Sequence, residues 1–115
     1  MFPERMNQAR VAMAQQGIDA TLLSVGADLP YFTGYEAMPL ERLTMLVLPK
    51  DGQATLVVPA LEAPRVVERP DVFSIRPWGE TEDPIAIVVG LLGGATQVLV
   101  GDQTWSRFTV DLLTA

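Results

Sequence analysis

Two apolar runs, "RLTMLVLP" and "ATLVVPA", stand on either side of "KDGQ" in the middle of this 115-residue chain. Asp51-Gly52 supplies the residue types that a tight turn demands, so the segment predicts an antiparallel hairpin. The strand–helix–strand units that follow favour right-handed parallel crossovers instead. A sheet that satisfies both demands is mixed, and the rest of the chain has to cover its faces.

The flanking segments supply that cover. Pro3 suits the first turn of a helix; Met6, Ala9 and Met13 recur at helical spacing, and Gly17 stands where a left-handed cap is wanted. "IDATLLSV", Ile18 to Val25, reads as a short buried strand. The stretch 27–44, "ADLPYFTGYEAMPLERLT", reads as a connection, yet it holds Tyr31, Phe32 and Tyr35, three of the chain's eight aromatic residues. Beyond the hairpin, "LEAPRVVER" predicts a short helix with Pro64 in its first turn, and "DVFSIRPW" a strand ending at Pro77. Asp83 is a natural N-cap and Pro84 a natural first helical residue, giving a helix over 84–92 that ends at Gly93-Gly94. "QVLVGD" is a further strand. "TWSRFTVDLL" closes the chain as a helix, with Trp105, Phe108 and Leu112 on one face. The order is helix, strand, hairpin, helix, strand, helix, strand, helix, which predicts an α/β fold: a mixed sheet with helices packed on its faces. The length suits one domain. The last helix reaches Ala115 without a cap, so the natural protein is expected to continue.

Composition narrows the function. There is no His and no Cys. A Ser-His-Asp triad, a Cys-His pair and a HExxH zinc site are therefore impossible within the chain, and Ser24 and Ser106 have no His to activate them. A net charge of −6 with scattered basic residues argues against phosphate-backbone binding, so no nucleic-acid partner is expected. The longest apolar run, "IAIVVGLL", falls far short of the ~20 residues that span a bilayer, and the expected location is the cytoplasm. "GLLGGATQVLVG" lacks the spacing of a phosphate loop.

Three features remain to be weighed. Glu80, Glu82 and Asp83 could be imagined as an oxygen site for a hard cation, but carboxylates at a helix start are better read as caps that favour its dipole. Trp78 follows a strand and fits either core or a place near the surface. Arg42 lies at the end of the aromatic connection, near Tyr35, Glu36 and Glu41. It either pairs with a local carboxylate or presents its guanidinium fork to an anionic group of a ligand or partner.

Taken in order, these segments resemble the N-terminal domain of the pita-bread metallopeptidases: Xaa-Pro dipeptidases (prolidases), aminopeptidase P and creatinase. "RMNQARVAMAQQGIDATLLS" is similar to the family's opening helix and first strand, and "DLPYFTGY" to its asparagine-containing segment. "LVLPKDGQATLVVPALEA" resembles its hairpin and following helix, and "VFSIRPWGETEDPIAIVVGLL" its strand, acidic turn and helix. The resemblance implies a ribonuclease H-like sheet with flanking helices, covering residues 1–115 as one domain ahead of a C-terminal catalytic domain. In that family a site of two Asp, two Glu and one His holds two divalent ions (manganese, cobalt or zinc) in the catalytic domain, and no such set can be assembled here. The implied role is non-catalytic: shaping a homodimer and the access of substrate. The family's final strand and linker find no counterpart in this chain.

The resemblance also implies a site. In creatinase-like members, residues just before the hairpin's first strand reach a neighbouring subunit's active site and meet the substrate carboxylate. Here that pattern falls on Leu40, where those enzymes have an aromatic, and on Arg42, with Tyr35 close by. Tyr31 and Phe32 are then expected to anchor the connection in the core while its far half lines a substrate entrance across the dimer. Two other readings stay open. One is a free-standing α/β module that binds a small ligand or a protein; the other is half of a pita-bread protein without peptidase activity.

Overall fold

The computed structural model describes residues 1–24, 26, 28–36, 42–101 and 106–114. In chain order the elements are α1 (Phe2–Gln16), β1 (Ala20–Leu23), α2 (Asp28–Thr33), β2 (Met45–Pro49), β3 (Ala54–Pro59), a 3₁₀ turn at Ala63–Arg65, β4 (Phe73–Trp78), α3 (Pro84–Leu92), β5 (Val98–Val100) and α4 (Ser106–Thr114). The strands form one sheet in the order β4-β3-β2-β1-β5. β2 pairs antiparallel with both β1 and β3, whereas β3–β4 and β1–β5 are parallel. The mixed sheet that the sequence predicts is the one that forms.

Side-chain alternation splits the core in two. Leu46 and Leu48 of β2 join Leu56 and Val58 of β3, Phe73 of β4, Met6 and Met13 of α1 and Leu29 of α2 on one face. Met45 and Val47 join Leu22, Val57, Val88 of α3 and Phe108 of α4 on the other. Strands covered on both sides read as continuous apolar runs, which is why "MLVL" and "TLVV" lack a polar face. Phe108 and Leu112 take their expected places against the second cluster; Trp105 lies outside the described residues.

Several ends follow the expected chemistry. Gly17 takes a left-handed φ of 70° and closes α1, with the N–H of Ile18 returning to the Met13 carbonyl at 2.9 Å. Asp83 caps α3 by accepting the N–H of Ile85 at 3.0 Å, and Gly93 ends that helix at φ 58°. Arg10 of α1 holds the hairpin turn, donating from Nε to the Pro49 carbonyl at 3.2 Å and from Nη2 to that of Gly52.

Three expectations need correction. The connection 27–44 contains a helix, α2, with Pro30 tolerated in its first turn. "LEAPRVVER" forms a 3₁₀ turn of 3 residues, because Val66 turns extended at φ −81°, ψ 125°. The β-branched pair Val66-Val67 and the residue before Pro70 both disfavour continuing a helix. Finally, β4 runs through Pro77 to Trp78. It can do so because β4 is an edge strand, where a missing N–H breaks no ladder bond on its outer side.

Candidate functional site

The segment leading into β2 is held from two directions. Ser24 Oγ donates to the Thr44 carbonyl at 2.8 Å, and the indole Nε1 of Trp78 donates to the Leu43 carbonyl at 2.9 Å. Leu43 is buried, and Trp78 is only 8% exposed, so the tryptophan belongs to the core. Ser24 is thereby committed to structure. Arg42, one residue before this pinned backbone, is 44% exposed.

Topology supplies its partner. β4 is parallel to β3 and β3 is antiparallel to β2, so the end of β4 and the start of β2 share one end of the sheet. The acidic turn after β4 therefore stands beside Arg42, whose Nη2 donates to Glu80 Oε1 at 3.1 Å. The carboxylate is not Glu36, the described member of the local pair considered from sequence; Glu41 lies outside the described residues. Linear spacing holds no sign of Glu80, but the strand order does.

The other carboxylates of that turn have separate tasks. Glu82 Oε1 accepts the N–H of Gly79 at 3.0 Å, and its Oε2 pairs with Arg76 Nη2 at 2.6 Å. The Arg76 guanidinium first, and the Gly79 N–H second, hold the Glu82 carboxyl below its usual range; Arg76 is raised in return. Asp83 caps α3. The capping reading thus holds for Asp83, while Glu82 closes the turn and Glu80 pairs with Arg42. Among the described residues no group of three or more Asp, Glu, His or Cys could hold a metal ion. Arg42, Leu43, Trp78, Asp83, Ile85 and Phe108 border a cleft of about 290 Å³.

The aromatic stretch is arranged differently from expectation. Tyr35, not Tyr31, sits in the first core cluster at 9% exposure. Burial first, and then the negative charge of Glu62, raises its phenol above the ordinary value. Phe32 is half-buried against the same cluster, but Tyr31 is 47% exposed. Leu29 and Thr33, four residues apart, are the buried positions of α2, so Tyr31 falls on the opposite face of the helix. There its ring takes the Arg5 guanidinium at 4.3 Å and meets Phe32 edge-on at 5.0 Å.

The end of α2 is capped by two arginines. Arg5 Nη1 donates to the Tyr31 carbonyl at 2.8 Å, and Arg69 Nε to that of Thr33 at 3.1 Å. Gly34 has φ 77°, a left-handed conformation that favours glycine, and a Cβ there would lie 2.8 Å from Arg69 Nη2, so the Arg69 guanidinium would have to shift. Leu40, the remaining residue of the expected substrate border, lies outside the described residues.

Among the described residues the site contains neither a nucleophile with a base nor a metal-binding set. What they offer chemically is an exposed guanidinium beside a pinned backbone, a group suited to anions.

Comparison with known proteins bears on the fold and the family. The family model described as "Creatinase/Prolidase N-terminal domain" matches residues 5–114. A protein of Mycobacterium tuberculosis (strain ATCC 25618 / H37Rv), "Probable dipeptidase PepE", is 33% identical over 98 residues, which make up 83% of this chain and 26% of that protein. Among solved structures, dipeptidase PepE from Mycobacterium ulcerans superposes with a TM-score of 0.88 at 32% identity, over 99% of this chain and 32% of that one. The N-terminal domain of Xaa-Pro dipeptidase from Lactobacillus brevis gives a TM-score of 0.85 at 23% identity, over 96% of this chain and 86% of that one, a likeness of fold. The chain thus spans about a quarter of the length of the curated relative.

Proposed function

This chain belongs to the creatinase/prolidase N-terminal domain family, and from that premise we propose that it serves, without catalysing, a cytoplasmic metal-dependent Xaa-Pro dipeptidase. The hydrolysis belongs to a C-terminal catalytic domain outside this chain. The residues here do not fit the metal site: the chain has no His or Cys, and among the described residues no group of three or more Asp, Glu, His or Cys could hold a metal ion. The two divalent ions, manganese, cobalt or zinc, are assigned to the catalytic domain.

The domain's part is to shape a homodimer and to border the neighbouring subunit's active site. The observation that carries this reading is Arg42: an exposed guanidinium directly before Leu43 and Thr44, whose carbonyls Trp78 and Ser24 hold at the mouth of β2. A dipeptide ends in a carboxylate, and a guanidinium fork matches that group in charge and geometry. Arg42 receives the carboxylate and Tyr35 holds the start of the connection from the core side; Leu40, outside the described residues, is assigned the apolar contact of the substrate border.

In the full-length protein, Arg42→Ala is expected to raise KM for Xaa-Pro dipeptides and to lose about 1.5–3 kcal/mol in kcat/KM, the worth of a charge-assisted contact. Unchanged kinetics at unchanged stability would sink the assignment.

A further inference from the structure

We propose that Glu80 is a positioning residue for Arg42, holding the guanidinium ready for the substrate carboxylate. This inference rests on the reading of Arg42 given above.

Three observations lead to it. The first is the division of labour in the acidic turn. Glu82 closes the turn through the Gly79 N–H and Arg76, and Asp83 caps α3, so the turn keeps its shape without Glu80. Among the described residues, Glu80 engages Arg42 and nothing else. The second is exposure. Glu80 is 78% exposed and Arg42 44% exposed, so the pair adds little to the stability of the fold. Its effect falls on the conformation of Arg42, a long side chain that would otherwise sample many rotamers. The third is the geometry of the contact. Glu80 takes one donor, Nη2, at 3.1 Å. Nε and Nη1 are not engaged by any described group, so a second carboxylate finds donors on the same guanidinium.

Glu80 also repels an incoming carboxylate. At this exposed position that repulsion is screened by water, and the direction of the KM change in Glu80→Ala decides between positioning and repulsion. The net effect of Glu80 is to strengthen binding.

The test uses the full-length protein with an Xaa-Pro dipeptide, comparing Glu80→Ala, Glu80→Gln and Arg42→Ala. Glu80→Ala is expected to raise KM about two- to fivefold with kcat unchanged, the scale of an exposed ion pair. Glu80→Gln keeps the acceptor oxygen and is expected to return KM to within about twofold of the wild type. In the Arg42→Ala background, Glu80→Ala should add nothing further, since the two act as one unit. Thermal unfolding of both Glu80 variants should match the wild type. If Arg42→Ala raises KM while Glu80→Ala leaves it unchanged or lowers it, Glu80 is a bystander or a competitor and this inference alone falls. If Arg42→Ala itself leaves KM unchanged, the reading beneath it falls as well.

Discussion

Asp19 Oδ2 accepts the backbone N–H of Thr96 at 3.0 Å, joining the approach to β1 with the approach to β5 across 77 positions of sequence. The same oxygen accepts the N–H of Gln97 at 3.1 Å, and Oδ1 accepts from the Lys50 ammonium in the hairpin turn, also at 3.1 Å. One carboxylate thus ties three parts of the sheet together. The Thr96 N–H, then that of Gln97, then Lys50 hold its carboxyl far below the usual range.

Because the folded-state value is depressed, the stability contributed by Asp19 is complete above the ordinary aspartate value of about 4 and is lost as pH falls through the folded value. Asp19→Asn should lower Tm by several degrees at neutral pH. The Tm curves of wild type and variant should run parallel from pH ~7 to ~5 and converge below ~4. Thermal unfolding followed by circular dichroism at stepped pH measures this. A gap that stays constant into strong acid would refute the role of the ionised carboxylate.

The two tyrosines flanking Gly34 should differ sharply. Tyr35 is in the core and Tyr31 is 47% exposed against Arg5. Tyr35→Ala is expected to cost about 3 kcal/mol, as emptying an aromatic site does. Tyr31→Ala should cost about 0.5–1 kcal/mol, the worth of an exposed cation–π contact. Urea denaturation of the two variants gives both values, and equal costs would reverse the assignment of the anchor.

Trp78 links the core to the site. Trp78→Phe keeps a ring in place but removes the donor from the buried Leu43 carbonyl, 2.9 Å away in the wild type. A loss of about 1–3 kcal/mol is expected for a buried acceptor left without a partner. Since Leu43 follows Arg42 directly, the full-length variant should also show a raised KM with little change in kcat. A stability loss with KM unchanged would separate the packing of Trp78 from the placement of Arg42.

Where local chemistry decides an element, the sequence already reveals it. The turn at Asp51-Gly52, the left-handed cap at Gly17 and the bounds of α3 at Asp83, Pro84 and Gly93 each depend on a few adjacent residues. α2 escaped because six residues are too few to display a helical period, and the chain flags the segment only with Pro30 and Gly34. Which aromatic turns inward depends on the phase of that helix, so Tyr31 and Tyr35 could not be ranked before α2 was known. The position of Arg42 was legible but its partner was not. Glu80 comes within reach only when β4 pairs with β3 and β3 with β2.

The hairpin has a consequence for how the chain finds its form. β2 and β3 are consecutive in sequence, and they also occupy the interior of the sheet. The turn 50–53 that joins them closes with a small loss of chain entropy, while β5 must find β1 across most of the polypeptide. The pairing that is quickest to meet is therefore the one every other strand is built upon. Assembly can proceed from the middle outward, with the distant ends arriving at a template already in place.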